Sequence, residues 1–154
     1  MKSYCILLVT LLLVACTNSP TKEETSEKKD SLKPVNELSY SEIVNAVISG
    51  EGEGVEYHGE PINQEAVADL KLEERESCGD NNCGKMVYLV NSGEKLIKAT
   101  LHSPFKVAEI DSHTARLIEV QPGQSIAIAC SHFCYAGEAY QFNHRIAGGE
   151  YLEE

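Results

Sequence analysis

Cys130-Ser131-His132-Phe133-Cys134 sets two sulfurs and an imidazole within five residues, and Cys78 and Cys83 bracket a second short segment, Gly79-Asp80-Asn81-Asn82. As thiolates, Cys130 and Cys134 with His132, completed by Cys78 and Cys83, carry the donor types of a tetrahedral zinc or copper shell. As oxidised sulfurs the same four cysteines make two disulfides. The spacing argues for the second chemistry, because four and three residues separate the members of each pair and zinc sites commonly place two there. Thiol exchange at Cys130 and Cys134 asks for a depressed thiol pKa, usually from a Cys-x-x-Cys turn at a helix start, and the segment has no such turn.

Three pairings of four cysteines are possible. Sequence proximity, and the Gly, Asp and Asn residues of a tight reversal, favour Cys78 with Cys83 and Cys130 with Cys134. Stability alone favours linking one segment to the other, because chain-entropy stabilisation grows with loop length. Asp80, Asn81 and Asn82 offer calcium oxygens but too few of them for a calcium loop, and they read better as a turn.

No other constellation is catalytic. The chain has no Gly-x-Ser-x-Gly, no His-Glu-x-x-His, no phosphate-cradling glycine loop and no pair of neighbouring acids placed for acid–base work. A non-enzymatic protein without a cofactor is expected. His144 alternates with Tyr140, Phe142 and Ile146 along one strand face and reads as a hydrogen-bonded histidine of the core or an edge. His58, His102 and His113 sit near turn residues and read as solvated.

Which sulfur chemistry applies depends on the compartment, and the first residues speak to that. Lys2, the apolar run Ile6 to Val14, and Leu13-Val14-Ala15-Cys16 resemble the signal peptide and lipobox of bacterial lipoproteins. The run is shorter than the roughly 20 apolar residues of a spanning helix. The resemblance covers residues 1 to about 20, and it implies cleavage after Ala15, a thioether-linked diacylglycerol and palmitate on Cys16, and export. Acyl chains add about 0.8 kcal/mol of membrane affinity per buried CH₂, so two or three of them hold a protein at a bilayer. Thr17 in place of Asp is similar to lipoproteins sorted to the outer membrane. The expected location is therefore the bacterial cell envelope, lipid-anchored, at the outer membrane and facing the periplasm or the surface. In that oxidising setting the four remaining cysteines are expected as disulfides.

Residues 16–38 are rich in Thr, Ser, Lys and Glu, carry two prolines and have too few apolar side chains to bury a core. They read as the lipidated N-terminus and a flexible tether, following a signal peptide at 1–15 and preceding one domain at 39–154. Of the chain's formal charge of −11, all resides in that domain: from Ser39 onward 19 Asp and Glu face 8 Lys and Arg. Nucleic acid is an unfavourable partner for such a surface. An acidic face suits a basic envelope protein or a glycan, and it also keeps a protein soluble.

The elements that must position these residues are mostly strands. Ser39-Tyr40-Ser41-Glu42 has capping-box spacing and starts one short helix with the stripe Ile43, Val44, Val47 and Ile48. Pro61 to Ala68 could form a second helix, but alternation from Ala68 onward favours a strand. Period-two runs follow at Met86 to Val90, Leu96 to Leu101, Ala115 to Val120, Ser125 to Cys130 and Ala139 to Ile146. Turn signals separate them at Asn91-Ser92-Gly93, Ser103-Pro104, Asp111-Ser112 and Pro122-Gly123. Strand spacing near ten residues predicts a mainly β fold, a small antiparallel β-sandwich with one short N-terminal helix. The stretch Ile118 to Ile126, with its Pro-Gly turn, is similar to a strand–turn–strand step of immunoglobulin-like bacterial sandwiches.

Overall fold

The computed structural model describes residues 32–50, 52–59 and 62–153. The expected signal peptide and Cys16 lie outside them. The described chain is a small, mainly β domain built from antiparallel sheets, with one α-helix, α1 (Tyr40–Val47). Its strands are β1 (Glu53–Gly54), β2 (Leu70–Cys78), β3 (Gly84–Asn91), β4 (Ile97–Val107), β5 (Ile110–Val120), β6 (Ser125–Cys130), β7 (His132–Tyr135), β8 (Glu138–Gln141) and β9 (Arg145–Tyr151). One sheet has the order β1-β5-β4-β9, a second β2-β3-β6, and β7 with β8 forms a hairpin. Among the described residues no helix is long and apolar enough to cross a membrane.

Alternation along the strands gives the two larger sheets their inner faces. Leu89 and Val87 from β3, Ile97, Ala99 and Leu101 from β4, Ile118 and Val120 from β5, and Ile128 and Cys130 from β6 share one buried cluster. The Pro-Gly turn carries the chain between the sheets. Gly123 takes φ +68 and the Gln124 N–H donates to the Gln121 carbonyl at 3.0 Å, as the type II geometry requires.

Helix α1 starts as its capping box dictates: the Ser39 side chain accepts from the Glu42 N–H, and the Glu42 carboxylate accepts from the Ser39 N–H. Ile43 and Val47 turn its apolar stripe into the core. The ordered fold begins upstream of Ser39, inside the stretch expected as tether. Leu38 is buried and Val35 packs against the same cluster, while the Tyr135 hydroxyl donates to the Lys33 carbonyl at 2.8 Å.

Three local expectations differ from the structure. Ser103-Pro104 is no turn but lies inside the eleven-residue β4. The Pro104 carbonyl points at Asn143 N–H, 2.9 Å away, so the missing proline donor falls on the side where β9 has already ended at Arg145. Proline is tolerated in a strand where the neighbour, here the irregular Phe142-Asn143-His144, offers no regular ladder for its N–H. The reversal comes instead at Ala108-Glu109, not at Asp111-Ser112, because Val107 pairs with Ile110. Finally, Ala139 to Ile146 is two strands broken at Phe142-Asn143-His144.

Sheet edges are managed separately. Outside β6, Ile48 bridges Ala129 and the Ser49 N–H donates to the Ile128 carbonyl at 3.0 Å. Outside β9, the segment 62–66 takes the edge: Ala66 N–H reaches the Gly149 carbonyl at 3.1 Å and Gly149 N–H reaches the Asn63 carbonyl at 2.7 Å. Strand β2 carries the exposed Glu74, Arg75 and Glu76, charges that discourage pairing with another chain.

The β7–β8 hairpin turns through Ala136 at φ +52 and Gly137 at φ +88. Two consecutive positive φ values define the geometry for which Asn-Gly is preferred, and alanine is strained at the first position. Ala136→Asn should stabilise the domain by about 0.5–1 kcal/mol, read as a rise in thermal midpoint with an unchanged circular dichroism spectrum. A fall would contradict the backbone geometry assigned to this turn.

Candidate functional site

The four cysteines expected as disulfides are all bridged, with a pairing that reverses the one turn chemistry favoured. Cys78 pairs with Cys130 and Cys83 with Cys134, their Cα atoms 5.9 and 6.0 Å apart. The reason lies in strand order. Strand β3 stands between β2 and β6, with Cys78 opposite Gly84 and Met86 opposite Cys130. Register irregularities between Glu74 and Ser77 and between Val87 and Tyr88 accompany a curl of this end. The curl brings the flanking strands together across Gly84.

Gly84 makes that crossing possible. A Cβ there would stand 2.5 Å from the Cys130 sulfur and 3.4 Å from the Cys78 sulfur, and the first is closer than atoms can approach. Gly79, at φ +76, occupies the matching place beside the second bridge, where a Cβ would collide with the Cys134 sulfur. Between these glycines, Asp80 to Asn82 form the expected turn. Asn81 and Asn82 both take left-handed φ, 55° and 56°, a conformation asparagine tolerates better than most residues.

The metal-ligand set weighed above is placed as follows. Cys130 is buried and bridged, Cys134 is buried and bridged, and His132 is half-buried with its Nδ1 2.9 Å from the Ser131 hydroxyl. With both sulfurs cross-linked, neither is a thiolate. Among the described residues no group of three His, Cys, Asp or Glu side chains is placed to hold a metal ion.

His144 is a hydrogen-bonded histidine, as its strand position suggested, and it pins the broken strand to the core. Its Nδ1 lies 2.8 Å from the Ser103 hydroxyl and its Nε2 lies 3.0 Å from the Cys130 carbonyl. The carbonyl can only accept, so Nε2 carries the proton and Ser103 donates to Nδ1. This Ser–His contact is closed off, because Ser103 is 5 % exposed.

His102, expected in solvent, is buried. The expectation failed with the supposed turn at Ser103-Pro104: mid-strand, His102 lies under Tyr57, whose ring centroid is 4.4 Å away. The Arg145 Nε–H donates to His102 Nδ1 at 2.9 Å, and the exposed His113 ring stands 4.9 Å off. His58 and His113 are exposed as expected.

Two features escaped the sequence reading. Arg116 shares the inner-facing phase of β5 with Ile118 and Val120, and it is 8 % exposed. Its guanidinium donates to the Ile128 carbonyl at 2.7 Å and the Ser49 carbonyl at 3.3 Å, tying β5 to β6 and to the segment after α1. A charged residue in an apolar phase was the available signal. The second is a groove along β4 and β5 of the four-stranded sheet, lined in part by Gly52, Glu53, Val55 and Glu56 on one side and by Ile62 and Asn63 on the other. Its residues are scattered in sequence and carry no motif.

These features define a class: a disulfide-braced antiparallel β-sandwich with a buried polar network. Compared with known proteins, the chain matches no family model, no curated protein and no solved structure.

Burial is the main influence holding His102 below its ordinary value of 6.5, with Arg145 and His113 acting in the same direction. Burial also lowers His144, against an opposing contribution from the Cys130 carbonyl. For both residues the unfolded chain binds the proton more readily, so stability is complete above about pH 6.5 and drains away as pH falls toward the folded values. Thermal midpoints measured from pH 8 to 5 should drop below pH 6.5, and His102→Gln should flatten that slope. A profile flat to pH 5 would contradict the neutral assignments.

Gly84→Ala should prevent clean formation of the Cys78–Cys130 bridge. Non-reducing digestion that cuts before Asp80, before Asp111 and after Phe133 separates all four cysteines. The native chain should give the fragments joined 78 to 130 and 83 to 134, and the variant a mixture with free thiols. Cleanly paired Gly84→Ala protein would overturn the crossing described above.

Proposed function

We propose that this chain is a lipid-anchored envelope protein whose acidic, disulfide-braced β domain is a non-catalytic binding or scaffold module for a basic envelope protein or a glycan. A narrower form of this reading is an inhibitor or immunity protein for a basic enzyme such as a lysozyme. The observation that carries the reading is the pair of bridges inside the fold. Structural disulfides belong to oxidising compartments, and this agrees with the lipobox-like Leu13-Val14-Ala15-Cys16 that would place the domain there. The excess of 19 acidic over 8 basic residues from Ser39 onward supports a basic partner, since long-range attraction speeds encounter with the opposite charge.

The competing reading, metal handling or thiol exchange at Cys130, His132 and Cys134, requires both bridges to be open in the cell. Intact mass of protein taken from the envelope, alkylated with and without reduction, separates the two. Acylation at Cys16 and no alkylation before reduction are expected; unblocked thiols with bound zinc or copper would favour the competing reading. Affinity capture from envelope extract with the full chain should enrich a basic partner at low salt and lose much of it at about 1 M, where the screening length is about 3 Å. Capture of nothing at low salt would count against a binding role.

A further inference from the structure

The groove along β4 and β5 of the four-stranded sheet consists of two hollows of about 510 and 250 Å³ that share Lys98 and Leu117, the larger one continuing past Ile118 to Gln124 and Ile126. Leu117, Val55 and Ile62 supply apolar walls. Carboxylates stand around them: Glu53 and Glu119 line the larger hollow, Glu56 and Glu150 the smaller. In register, Lys98 stands between Glu119 on β5 and Glu150 on β9, yet among the described residues it forms no ion pair within 4.0 Å. The groove is thus a trough with an apolar floor, four acids and one base. An arginine or lysine side chain has the matching form, an aliphatic stem that rests on apolar surface and a charged head that reaches the rim.

Position in the fold adds to this. The described chain begins at Leu32, which lies beside Asp80 and Cys83 at the disulfide end. Glu119, Gln124 and Ile126 line the groove's larger hollow, near the Pro122-Gly123 turn. Strand β3 separates these ends, with Gly84 beside the bridges and the Asn91 N–H bonded to the Gln124 carbonyl at 3.0 Å. A domain rooted through its N-terminus therefore carries the groove at the end away from the root.

The geometry points to this groove as the docking site for an extended, lysine- or arginine-rich segment of a partner protein. The inference rests on the binding role proposed above and says where on the domain the basic partner is held. Rim carboxylates hold the cationic heads, the stems cover Leu117, Val55 and Ile62, and Lys98 opposes entry.

The test measures binding of a fluorescent octalysine peptide to the full chain in detergent micelles. Two variants each remove three carboxylates: Glu53→Gln with Glu119→Gln and Glu150→Gln in the groove, and Asp80→Asn with Glu109→Gln and Glu138→Gln at the other end. The described structure gives none of these six side chains a hydrogen-bond or ion-pair partner, so both variants should fold. The groove variant should bind about tenfold more weakly and the control less than about twofold, as expected for several surface ion pairs lost together. Lys98→Gln should tighten binding by about two- to fivefold. Equal loss in the two triple variants, weaker binding by Lys98→Gln, or no binding by the native chain would each overturn the site. Envelope capture is scored separately: a partner retained equally by both triple variants leaves the binding role standing while the groove falls.

Discussion

The crossing of two disulfides over the start of β3 is the constraint on which the rest of the fold depends. It joins the β2–β3 turn to the β6–β7 segment across 52 and 51 residues of chain, so the ends of the three-stranded sheet cannot separate. In the chain-entropy model the first such bridge contributes about 4 kcal/mol. Once it exists, the second closes a ring of only about ten residues and adds about 3 kcal/mol. Local pairing would have given two small rings, about 2 kcal/mol each on the same scale, with no hold of one sheet segment on another. For a domain of this size such a clamp matters, because small cores leave little net stability.

That clamp explains where other features can sit. His144 accepts from Ser103 on β4 and donates to the carbonyl of Cys130, a bridged residue. The strand break at Phe142-Asn143-His144 is thereby anchored to both sheets. Arg116 does the equivalent at mid-sheet, its charge satisfied by two carbonyls. Burial lowers its pKa, yet a guanidinium stays protonated at any physiological pH. Replacing it would take the donor from the Ser49 carbonyl and leave the Ile128 carbonyl with the Ser49 N–H alone, so this buried cation acts as a positional lock between layers.

What could be read from residues alone divides along physical lines. The capping box at Ser39, the Pro122-Gly123 turn and the run Ser125 to Cys130 emerged with nearly the right bounds, because local hydrogen bonding and period-two burial decide them. Ser103-Pro104 misled because a proline's effect depends on whether a neighbouring strand needs its N–H, which is a property of β9 and not of β4. His102 was misplaced by the same error. The cysteine pairing was hidden for a related reason: turn composition speaks for local closure, whereas the outcome follows from β3 lying between β2 and β6. Gly84 was a legible hint, since a glycine opening a strand often marks a close approach. The groove was invisible, because its acids come from β1, β5, β9 and, apart from these strands, from Glu56.

The distribution of charge separates two functions that a count of acids would merge. A domain with this excess of carboxylates attracts any cation, but at physiological salt the attraction dies within about 8 Å, and exposed pairs add little affinity each. Such a field can speed encounter, yet it does not choose among basic partners. Retention needs contacts that salt does not screen, and on the described surface an apolar floor coincides with converging carboxylates where residues 52–56 lie beside Leu117. Lys98 at its centre, without an ion pair among the described residues, sharpens the choice, since a guest must place its cations beside the rim and away from that amine. Under the proposed reading, selectivity comes from this spacing, while the remaining acids govern how fast a partner arrives.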